Sequence, residues 1–315
     1  MEVKTEVTHH EKIADEILES LSETPKRLPT KLFYDEKGSL LFDQICELDE
    51  YYPTRTELKI LEDNIDEIVD SIGEESLLLE LGSGSSLKTR LLLDHLSNFS
   101  SYVPVDISSD HLVKSSATLK HDYPGLSIYP LVADYTKPFT LPEVLEPYKT
   151  VDAFYPGSSI GNFTPVEAKE FLKRIAKTCG SGSGLLIGVD LKKDERILNS
   201  AYNDAKGTTA QFNLNILNHI NNLTDANFEV NKFLHLAFYN ESESRIEMHL
   251  ESKEDQEINI AGEKILFGKD ERILTEFSYK YSVSDFKNLA QDIYTLENVW
   301  TDKNKLFSVQ FYRAK

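Results

Sequence analysis

Two glycines one residue apart follow an apolar run and an acid in the segment Leu77-Leu-Leu-Glu-Leu-Gly-Ser-Gly-Ser85. A second apolar run, Tyr102-Val-Pro-Val-Asp106, ends in an aspartate 22 residues beyond Gly84. Glycines in such a turn let the backbone approach a ligand closely, and the acid can accept hydrogen bonds from both hydroxyls of a ribose. The spacing therefore predicts the first half of a nucleotide-binding α/β unit, with Asp106 at the ribose.

The residue three positions after the second glycine bears on which nucleoside cofactor is bound. Dinucleotide-binding turns place a third glycine there, where it allows tight packing of the helix on the strand. This chain has Leu87 at that position. The difference disfavours a pyrophosphate cradle and favours a cofactor without phosphate, such as S-adenosylmethionine. At this point NAD and a plain tight turn stay open as alternatives.

The elements that must position this turn alternate between strand and helix. Strands are predicted at 77–81, 102–106, 127–132, 153–155 and 185–189, with helices at 87–96, 109–120 and 166–178. Polar or acidic residues follow these strands, which is typical of ligand binding at the carboxyl edge of a parallel sheet. The middle of the chain is therefore predicted to be a Rossmann-like core.

The flanking segments carry other patterns. Helical spacing marks about 10–23 and 40–48, and Thr54 with Glu57 has the spacing of a capping box for a further helix. After Asp190 we expect one helical stretch over about 195–223 and then alternating segments typical of antiparallel strands. Those strands are predicted at 233–239, 245–252, 256–260, 275–281, 299–305 and 306–313. This order predicts an inserted cap and a C-terminal return to the core sheet.

Composition bears on partners and compartment. Acidic residues outnumber basic ones 53 to 34, for a net charge of −19, and such a surface repels phosphate backbones and anionic membranes. No apolar run approaches the ~20 residues that cross a bilayer, the first ten residues do not resemble a signal peptide, and two cysteines make no disulfide framework. We expect a cytoplasmic protein with no nucleic-acid or membrane partner. The spacing of the histidines predicts no metal site.

Several motifs that follow one another along the chain resemble those of a single family. They are Phe33-Tyr34-Asp35, the segments 41–45, 50–55, 80–90, 102–106 and 157–162, and then 201–204, 246–248 and 275–278. Together they resemble the histidine-specific methyltransferases of ergothioneine biosynthesis, from about Leu28 to the C-terminus. The resemblance implies an Nα-methyltransferase that converts L-histidine stepwise to trimethylhistidine (hercynine), with S-adenosylmethionine as methyl donor.

The same resemblance implies the architecture. The fold is expected to be α/β, with a Rossmann-like class I methyltransferase core and a second, substrate-binding α+β domain. Residues 1–57 and 193–280 are predicted to form the substrate domain, and residues 58–192 and 281–315 the core. We expect a monomer that acts on a small-molecule amino acid.

The cofactor residues that the resemblance implies lie in the predicted core. They are Gly82, Ser83, Gly84, Lys88, Asp106, Asp134, Tyr135 and Gly157. Asp106 is expected at the ribose hydroxyls, Asp134 at the adenine amino group and Lys88 at the methionine carboxylate. Without the resemblance, Lys88 would be interpreted as a solvated helix lysine and the two acids as residues of strand-end turns.

The substrate residues that the resemblance implies are aromatic or polar, with one methionine. They are Tyr34, Phe42, Tyr51, Asn162, Tyr202, Met248, Glu276 and Ser278. Glu276 and Ser278 are two positions apart, so on a strand they point the same way, and a carboxylate beside a hydroxyl suits the N–H of an imidazole. Met248 would add an adaptable apolar wall. This set favours histidine over a bulkier aromatic amino acid.

The remaining substrate residues are expected around the reacting nitrogen. Tyr34, Phe42 and Tyr51 would form an aromatic wall, and aromatic faces stabilise the quaternary ammonium that a third methylation creates. Tyr34 and Asn162 are the predicted catalytic residues: Tyr34 would bind the amine, and Asn162 would hold the amino and carboxylate ends. Tyr202 would donate a hydrogen bond to the carboxylate.

Other functions stay open on the sequence. One is N-methylation of another aromatic amino acid, such as a tryptophan derivative, because the side-chain pocket decides the substrate. Another is a non-catalytic sensor that binds S-adenosylmethionine or an amino acid without turnover. An NAD oxidoreductase is disfavoured by Leu87.

Overall fold

The computed structural model describes residues 3–83, 87–96 and 101–315. Its helices are α1 Val3–Ser22, α2 Glu36–Cys46, α3 Tyr52–Asp63, α4 Ile65–Ile72, α5 Leu87–His95, α6 Ser109–Asp122, α7 Pro165–Cys179, α8 Glu195–Ala201, α9 Thr208–Thr224 and α10 Val283–Ala290. Its strands are β1 Lys26–Arg27, β2 Ser76–Leu81, β3 Ser101–Asp106, β4 Leu131–Val132, β5 Thr150–Tyr155, β6 Gly184–Asp190, β7 Phe233–Asn240, β8 Arg245–Ser252, β9 Gln256–Ile260, β10 Glu263–Phe267, β11 Arg272–Tyr279, β12 Tyr294–Thr301 and β13 Phe307–Ala314. Single turns of 3₁₀ helix cover Thr30–Phe33, Ser159–Asn162 and Val230–Lys232.

The chain divides into two compact units, of which one comprises Pro53–Lys193 and Tyr279–Lys315. Its sheet has the strand order β12-β13-β6-β5-β2-β3-β4. The five strands from β6 to β4 run parallel, whereas β13 is antiparallel to both β6 and β12. Counted along the chain, the parallel strands have the Rossmann order 3-2-1-4-5. The predicted Rossmann-like core is confirmed, and the C-terminal strands extend its sheet.

Burial on both faces of the sheet explains why the core strands have continuous apolar runs. Every residue of β2 and of β6 is buried, as expected for parallel strands covered by helices on either side. Leu78, Phe154 and Leu186, on adjacent strands, pack in one cluster with side chains of α3, α4 and α5. Burying a side chain of this size contributes ~1.5–3 kcal/mol. The strands are thus rigid supports, and their carboxyl ends are fixed.

The other unit comprises Met1–Tyr52 and Asp194–Ser278. It contains a four-stranded sheet in the order β1-β11-β8-β7 and a separate hairpin of β9 and β10. Helix α9 buries Phe212, Ile216 and Ile220, whose spacing of four places them on one face of the helix. This unit is α+β, as expected for the second domain that the resemblance implies.

The predicted capping box at Thr54 is wrong. Helix α3 begins at Tyr52, so Thr54 lies inside its first turn instead of preceding it. Pro53 takes the early position in the helix that proline favours, since its missing N–H would have no partner there. Glu57 is consequently not a cap, and its side chain is buried.

The predicted single helix over 195–223 is wrong as well, since the structure has α8 and α9. The break lies at Gly207, which has φ +70°. The Asp204 carboxylate accepts hydrogen bonds from the backbone N–H groups of Thr208 and Thr209, both at 2.8 Å. These groups begin α9 and would otherwise lack partners. An acid followed by a glycine is the local signal for this break.

Two strand predictions outside the site also need correction, and one helix was not predicted. The strand expected at 127–132 shortens to Leu131–Val132 with an isolated bridge from Ile128 to Tyr102, because Pro130 supplies no N–H to a ladder. The strand expected at 299–305 lies earlier, at Tyr294–Thr301. Helix α10 was missed, although Ser282 and Asp285 form a capping box at its start.

Candidate active site

The predicted glycine turn follows β2 at the carboxyl edge of the parallel sheet. The backbone N–H groups of Gly82 and Ser83 donate to the carbonyl of Val105, at 2.9 and 3.3 Å. Gly82 has φ +77°, and a β-carbon there would lie 3.5 Å from the Tyr135 hydroxyl, an ordinary contact. The backbone conformation, and not a lack of space, therefore requires glycine. Gly84 lies outside the described residues.

The two predicted cofactor acids occupy neighbouring strand ends. Asp106 closes β3, is half-buried, and accepts the backbone N–H of Ser108 at 2.8 Å. Asp134 follows β4, accepts the N–H of Thr136 at 3.0 Å, and lies 3.6 Å from the Lys137 ammonium. One oxygen of each carboxylate therefore holds a local turn, and a carboxylate has capacity to accept further bonds.

Tyr135 lies beside Asp134 and packs edge-on against two aromatic rings. Its ring centroid is 5.8 Å from that of Tyr155 and 6.2 Å from that of Phe171. Burial raises the pKa of the Tyr135 phenol to about 12, so the hydroxyl is neutral at physiological pH. The ring lies beside Gly82, where a β-carbon would be 3.6 Å from its Cε1 atom, and aromatic rings are suited to packing against a purine.

Lys88 is paired with a carboxylate that the sequence interpretation treated only as a helix cap. The Glu57 side chain is 1% exposed and binds the Lys88 ammonium. Both of its oxygens also accept the backbone N–H of Gly157, at 3.0 and 2.9 Å. Helices α3 and α5 and the loop after β5 therefore meet at one buried carboxylate.

One of the two glycines in β6, Gly188, makes room for this carboxylate. A β-carbon at Gly188 would lie 2.0 Å from Oε1 of Glu57 and 3.1 Å from a ring carbon of Phe307. Glycine weakens a strand interior and often marks a close approach by another group. Gly188 interrupts an otherwise apolar strand, so it was the one signal in the sequence for a buried partner here.

Replacing Gly188 with alanine is expected to displace the Glu57 carboxylate and to destabilise the protein by ~1–3 kcal/mol, the usual cost of overpacking. Thermal unfolding measures the loss. Gly125→Ala is the matched control, because a β-carbon there meets nothing within 4 Å. Equal melting temperatures for the two variants would show that the space at Gly188 is not needed.

A buried ionic cluster supports the loop after β5. Asp190, at the carboxyl end of β6, pairs with the ammonium groups of Lys193 and Lys280, the latter at 2.8 Å. All three side chains are at most 5% exposed. The Asp190 backbone N–H donates to the Ser158 hydroxyl at 2.9 Å. The cluster therefore ties the residue after Gly157 to the central sheet, and the sequence interpretation missed it.

In the α+β unit, four predicted substrate residues form a continuous chain of edge-on ring contacts. The centroids of Tyr34 and Phe42 are 6.0 Å apart, those of Phe42 and Tyr51 6.3 Å, and those of Tyr51 and Tyr202 6.3 Å. Edge-on pairs at such distances are favourable beyond the area they bury. The predicted aromatic wall is thus assembled, with Tyr34 39% exposed at one end.

Phe212 anchors this wall from α9, and the sequence interpretation missed it. Its ring stacks on Phe33 with centroids 4.6 Å apart and contacts Phe42 at 5.9 Å and Tyr34 at 6.1 Å. Phe212 is 3% exposed. Phe212 therefore ties the wall to the core of its own unit, although it lies about 170 residues from Phe42 in the sequence.

The Tyr51 hydroxyl of this wall remains protonated. Burial raises the pKa of Tyr51 well above its ordinary value, and the nearby groups Tyr202 and Glu276 add to the shift. A phenol with a raised pKa donates a hydrogen bond but does not serve as a base near neutral pH. Tyr51 can therefore orient a ligand but cannot accept its proton.

The polar end of the wall continues into β11. The Tyr202 hydroxyl donates to the Ser278 hydroxyl at 2.9 Å, and both residues are buried. Glu276 lies two positions earlier on the same strand, is half-buried, and its charge affects the pKa of Tyr51. The structure therefore brings together Tyr51, Tyr202, Glu276 and Ser278.

Met248 belongs to the neighbouring strand β8. Its side chain is 2% exposed, and its carbonyl accepts the Thr275 hydroxyl at 3.0 Å. Met248 therefore lies beside the residue that precedes Glu276. An unbranched thioether suits an apolar surface that must adapt to a ring.

A buried polar network holds these strands and was not predicted. The Asn213 amide nitrogen binds Nδ1 of His235 and the carbonyl of His249, both at 2.9 Å. Its oxygen accepts the Thr275 hydroxyl at 2.7 Å. Nε2 of His235 lies 3.0 Å from the Tyr202 carbonyl. An amide nitrogen donates and a carbonyl accepts, so His235 must be neutral and carry its proton on Nε2.

This network predicts how stability depends on pH. Burial lowers the pKa of His235 below its ordinary value of 6.5. Between about pH 7 and this lowered pKa, His235 therefore binds more protons in the unfolded chain than in the folded one. The stability that neutral His235 contributes is fully present above about pH 6.5 and is lost as the pH falls toward the folded pKa. Glu80 acts in the opposite direction, because burial raises the pKa of its carboxyl to about 7. The contribution of His235 is therefore measured as the difference in melting temperature between the parent protein and a variant, from about pH 7.5 to 5.5.

Relative to the parent protein, His235→Gln should gain melting temperature as the pH falls through this range, because glutamine does not titrate. His249 contributes in the same direction as His235, since burial also lowers its pKa, and its contribution remains in the variant. His121→Gln, at an exposed position in the last turn of α6, should follow the pH profile of the parent protein. A pH profile of His235→Gln that runs parallel to that of the parent would contradict the tautomer that the hydrogen bonds require.

Asn162 belongs to the Rossmann-like unit, at the end of the 3₁₀ turn Ser159–Asn162 after β5. It is half-buried, and its role toward an amino acid remains a prediction. In residues 3–83, 87–96 and 101–315, no group of three histidine, cysteine or acidic side chains is placed to hold a metal ion. No helix in these ranges is long and apolar enough to cross a membrane.

Comparison with known proteins shows which sequences this chain resembles. The sequence model of a family described as histidine-specific, SAM-dependent methyltransferase matches residues 13–314. A histidine N-alpha-methyltransferase of Mycolicibacterium smegmatis is 38% identical over 298 residues, covering 93% of this chain and 92% of the relative. One of Mycobacterium tuberculosis is 39% identical over 277 residues, covering 86% and 85%.

A fungal protein is also similar, over a smaller part of its length. Ergothioneine biosynthesis protein 1 of Neurospora crassa is 36% identical over 205 residues, which cover 63% of this chain and 23% of that protein. The resemblance predicted from the motifs is confirmed by the family match and by the two bacterial relatives.

Proposed function

Since the chain belongs to the family of histidine-specific, S-adenosylmethionine-dependent methyltransferases, we propose that it methylates the α-amino group of L-histidine stepwise to trimethylhistidine, the hercynine of ergothioneine biosynthesis. The observation that carries this proposal is the chain of contacts from Tyr51 through Tyr202 to Ser278, with Glu276 beside it. An aromatic wall that ends in a carboxylate and a hydroxyl matches a cationic nitrogen at one end and an imidazole at the other.

The residues at the carboxyl edge of the parallel sheet fit a nucleoside with a zwitterionic tail. The Asp106 carboxylate suits two ribose hydroxyls, and the turn at Gly82 lets a ligand approach the backbone. We propose that Asp134 and Tyr135 hold the adenine and that Lys88 and Gly157 hold the methionine end. Ser83 and Gly84 complete the proposed cofactor set.

When bound, S-adenosylmethionine would supply a methyl carbon that a neutral amine attacks in line, so that the N–C bond forms as the C–S bond breaks and S-adenosylhomocysteine leaves. The protein mainly has to align the amine with this group, and such positioning contributes much of the catalysis. We propose that Glu276 and Ser278 hold the imidazole against the side chain of Met248. Asn162 would hold the amino and carboxylate ends, and Tyr34 would bind the amine. The Tyr202 hydroxyl has one proton, so it would turn from Ser278 to donate to the substrate carboxylate.

The proton of each amine must leave before the next transfer, since a protonated amine has no free lone pair. Tyr51 cannot accept it, because burial keeps its phenol protonated. We propose that water takes the proton at the exposed end of the wall, beside Tyr34. The third transfer leaves a quaternary nitrogen with no proton to lose, and the rings of Tyr34, Phe42 and Tyr51 would stabilise its charge.

The proposal also covers the roles of the two units, the oligomeric state and the cellular compartment. We propose that the unit of Pro53–Lys193 and Tyr279–Lys315 binds the cofactor and that the unit of Met1–Tyr52 and Asp194–Ser278 binds the amino acid. The reaction needs no metal ion. We expect a cytoplasmic monomer whose partner is a free amino acid, with no role for nucleic acid or a membrane.

A substrate panel tests the specificity. Release of S-adenosylhomocysteine should be fastest with L-histidine, and slow with L-tryptophan, L-phenylalanine and histamine. Histamine has the imidazole but lacks the carboxylate, so it isolates what the carboxylate contributes. A higher kcat/KM for L-tryptophan than for L-histidine would move the function to another aromatic amino acid. Binding of the cofactor without turnover on any amine would point to a sensor.

A further inference from the structure

We propose that Glu57 is a positioning residue for the amino-acid end of the cofactor, acting through the Lys88 ammonium and the backbone N–H of Gly157. The inference rests on the proposed function, because it takes Lys88 as the residue at the methionine carboxylate. Glu57 belongs to helix α3 at the start of its unit and is absent from the predicted cofactor set. Its contacts with Lys88 and Gly157 place it beside that set.

The surroundings of Glu57 are built for one carboxylate. Both oxygens accept the Gly157 N–H, at 3.0 and 2.9 Å, and the Lys88 ammonium completes the set. Gly188 provides the space, since a β-carbon there would lie 2.0 Å from Oε1. Burying a carboxylate is costly unless it is paired and hydrogen-bonded. This arrangement therefore fixes the orientation of the Glu57 head group.

Fixing Glu57 also fixes Lys88. A lysine side chain is a flexible four-carbon stem that loses ~2 kcal/mol of rotamer entropy when it is ordered. The bond to Glu57 places the ammonium beside the loop at Gly157: a β-carbon on Gly157 would lie 3.8 Å from Nζ. An ammonium has three N–H donors, and this bond uses one. Lys88 is thus ordered before it meets a ligand, which lowers the cost of binding.

The ion pair of Glu57 and Lys88 also determines the net charge at this end of the site, and with it the kind of ligand that binds there. Glu57 neutralises Lys88, so this end of the site does not have the excess positive charge that favours a phosphate. A zwitterion, with an ammonium and a carboxylate side by side, matches a neutral ion pair better. The geometry thus gives a physical reason for preferring a methionine end over a pyrophosphate, in line with Leu87 replacing the third glycine of a dinucleotide turn.

The test compares two ligands on Glu57→Gln, by calorimetry without histidine present. S-adenosylhomocysteine carries the amino-acid end, whereas methylthioadenosine has the same nucleoside and lacks that end. The Kd for S-adenosylhomocysteine should rise about tenfold or more, because the variant removes one partner of a buried charge pair. The Kd for methylthioadenosine should stay within about twofold of the parent value, as for an independent site.

A matched variant controls for the loss of a buried carboxylate. Asp152 is also 1% exposed, but it lies near the start of β5, at the opposite edge of the sheet, and binds Thr150 at 3.1 Å and Arg313 at 3.5 Å. Asp152→Asn should change the melting temperature and leave both Kd values unchanged. The double variant Glu57→Gln with Lys88→Met should bind S-adenosylhomocysteine no worse than Lys88→Met alone, because the two residues act as one unit.

Three outcomes would overturn the inference. They are an unchanged Kd for S-adenosylhomocysteine, an equal loss for both ligands, and fully additive effects in the double variant. If Glu57→Gln does not fold, Glu57→Asp gives the same comparison, since it keeps the charge but draws it back from Lys88. Failure to methylate histidine would leave these binding results intact, whereas a parent protein that binds neither ligand would refute the proposed cofactor.

Discussion

Replacing Glu276 with alanine is expected to raise the KM for L-histidine by about a hundredfold while kcat changes little. A hydrogen bond to a charged group contributes ~1.5–3 kcal/mol, and each 1.4 kcal/mol corresponds to about a tenfold change in affinity. Glu276 is half-buried, so its charge is less screened than one on the surface. Loss of binding in ground and transition states alike appears in KM. Initial rates at saturating S-adenosylmethionine measure both constants.

Two further variants make the Glu276 result specific. Glu276→Gln keeps an oxygen that accepts a hydrogen bond but loses the charge, so its KM should fall between the parent and alanine values. Glu271→Ala removes a carboxylate that pairs with Lys26 in the same unit and should leave the KM for histidine unchanged. An unchanged KM in Glu276→Ala would refute the imidazole-binding role.

The second large effect is expected at Asp106. Asp106→Ala should raise the KM for S-adenosylmethionine by about a hundredfold, since it removes an acceptor for two ribose hydroxyls and each bond to a charged group contributes ~1.5–3 kcal/mol. The KM for histidine should change little at saturating cofactor. Calorimetry with S-adenosylhomocysteine checks the same loss directly as a rise in Kd.

The control for Asp106 separates cofactor binding from folding. Asp106 also accepts the Ser108 N–H at the start of α6, so the alanine variant should melt at a slightly lower temperature. Asp122→Ala removes an exposed partner of Arg90 at the end of the same helix and should leave the cofactor Kd unchanged. A Kd within about twofold of the parent value in Asp106→Ala would place the ribose elsewhere.

Local patterns predicted the parts of the fold that depend on nearby residues. Strands buried on both faces need continuous apolar runs, so β2 and β6 could be recognised before their neighbours were known. The glycine turn could be found because the φ of +77° at Gly82 excludes most other residues. The substrate residues came as a group from the family motifs, and the structure assembles Tyr34, Phe42, Tyr51, Tyr202 and Ser278 by direct contacts.

The residues that were missed act over long distances in the sequence. Glu57 looked like a helix cap, and its partner Gly157 lies 100 residues away. Asn213 lies in a helix, and its partners His235 and Thr275 are on strands that follow it. Buried polar groups acquire their partners only in the folded chain, so spacing along the sequence could not reveal them.

Mass spectrometry of the product formed from L-histidine, S-adenosylmethionine and the pure protein tests the proposed reaction most directly. We expect a product that carries three added methyl groups, all of them on the α-nitrogen, with fragment ions that show an unmodified imidazole. Mono- and dimethylated forms should appear first and then disappear. Methyl groups on the imidazole, or no methylated histidine while S-adenosylhomocysteine still binds, would contradict it.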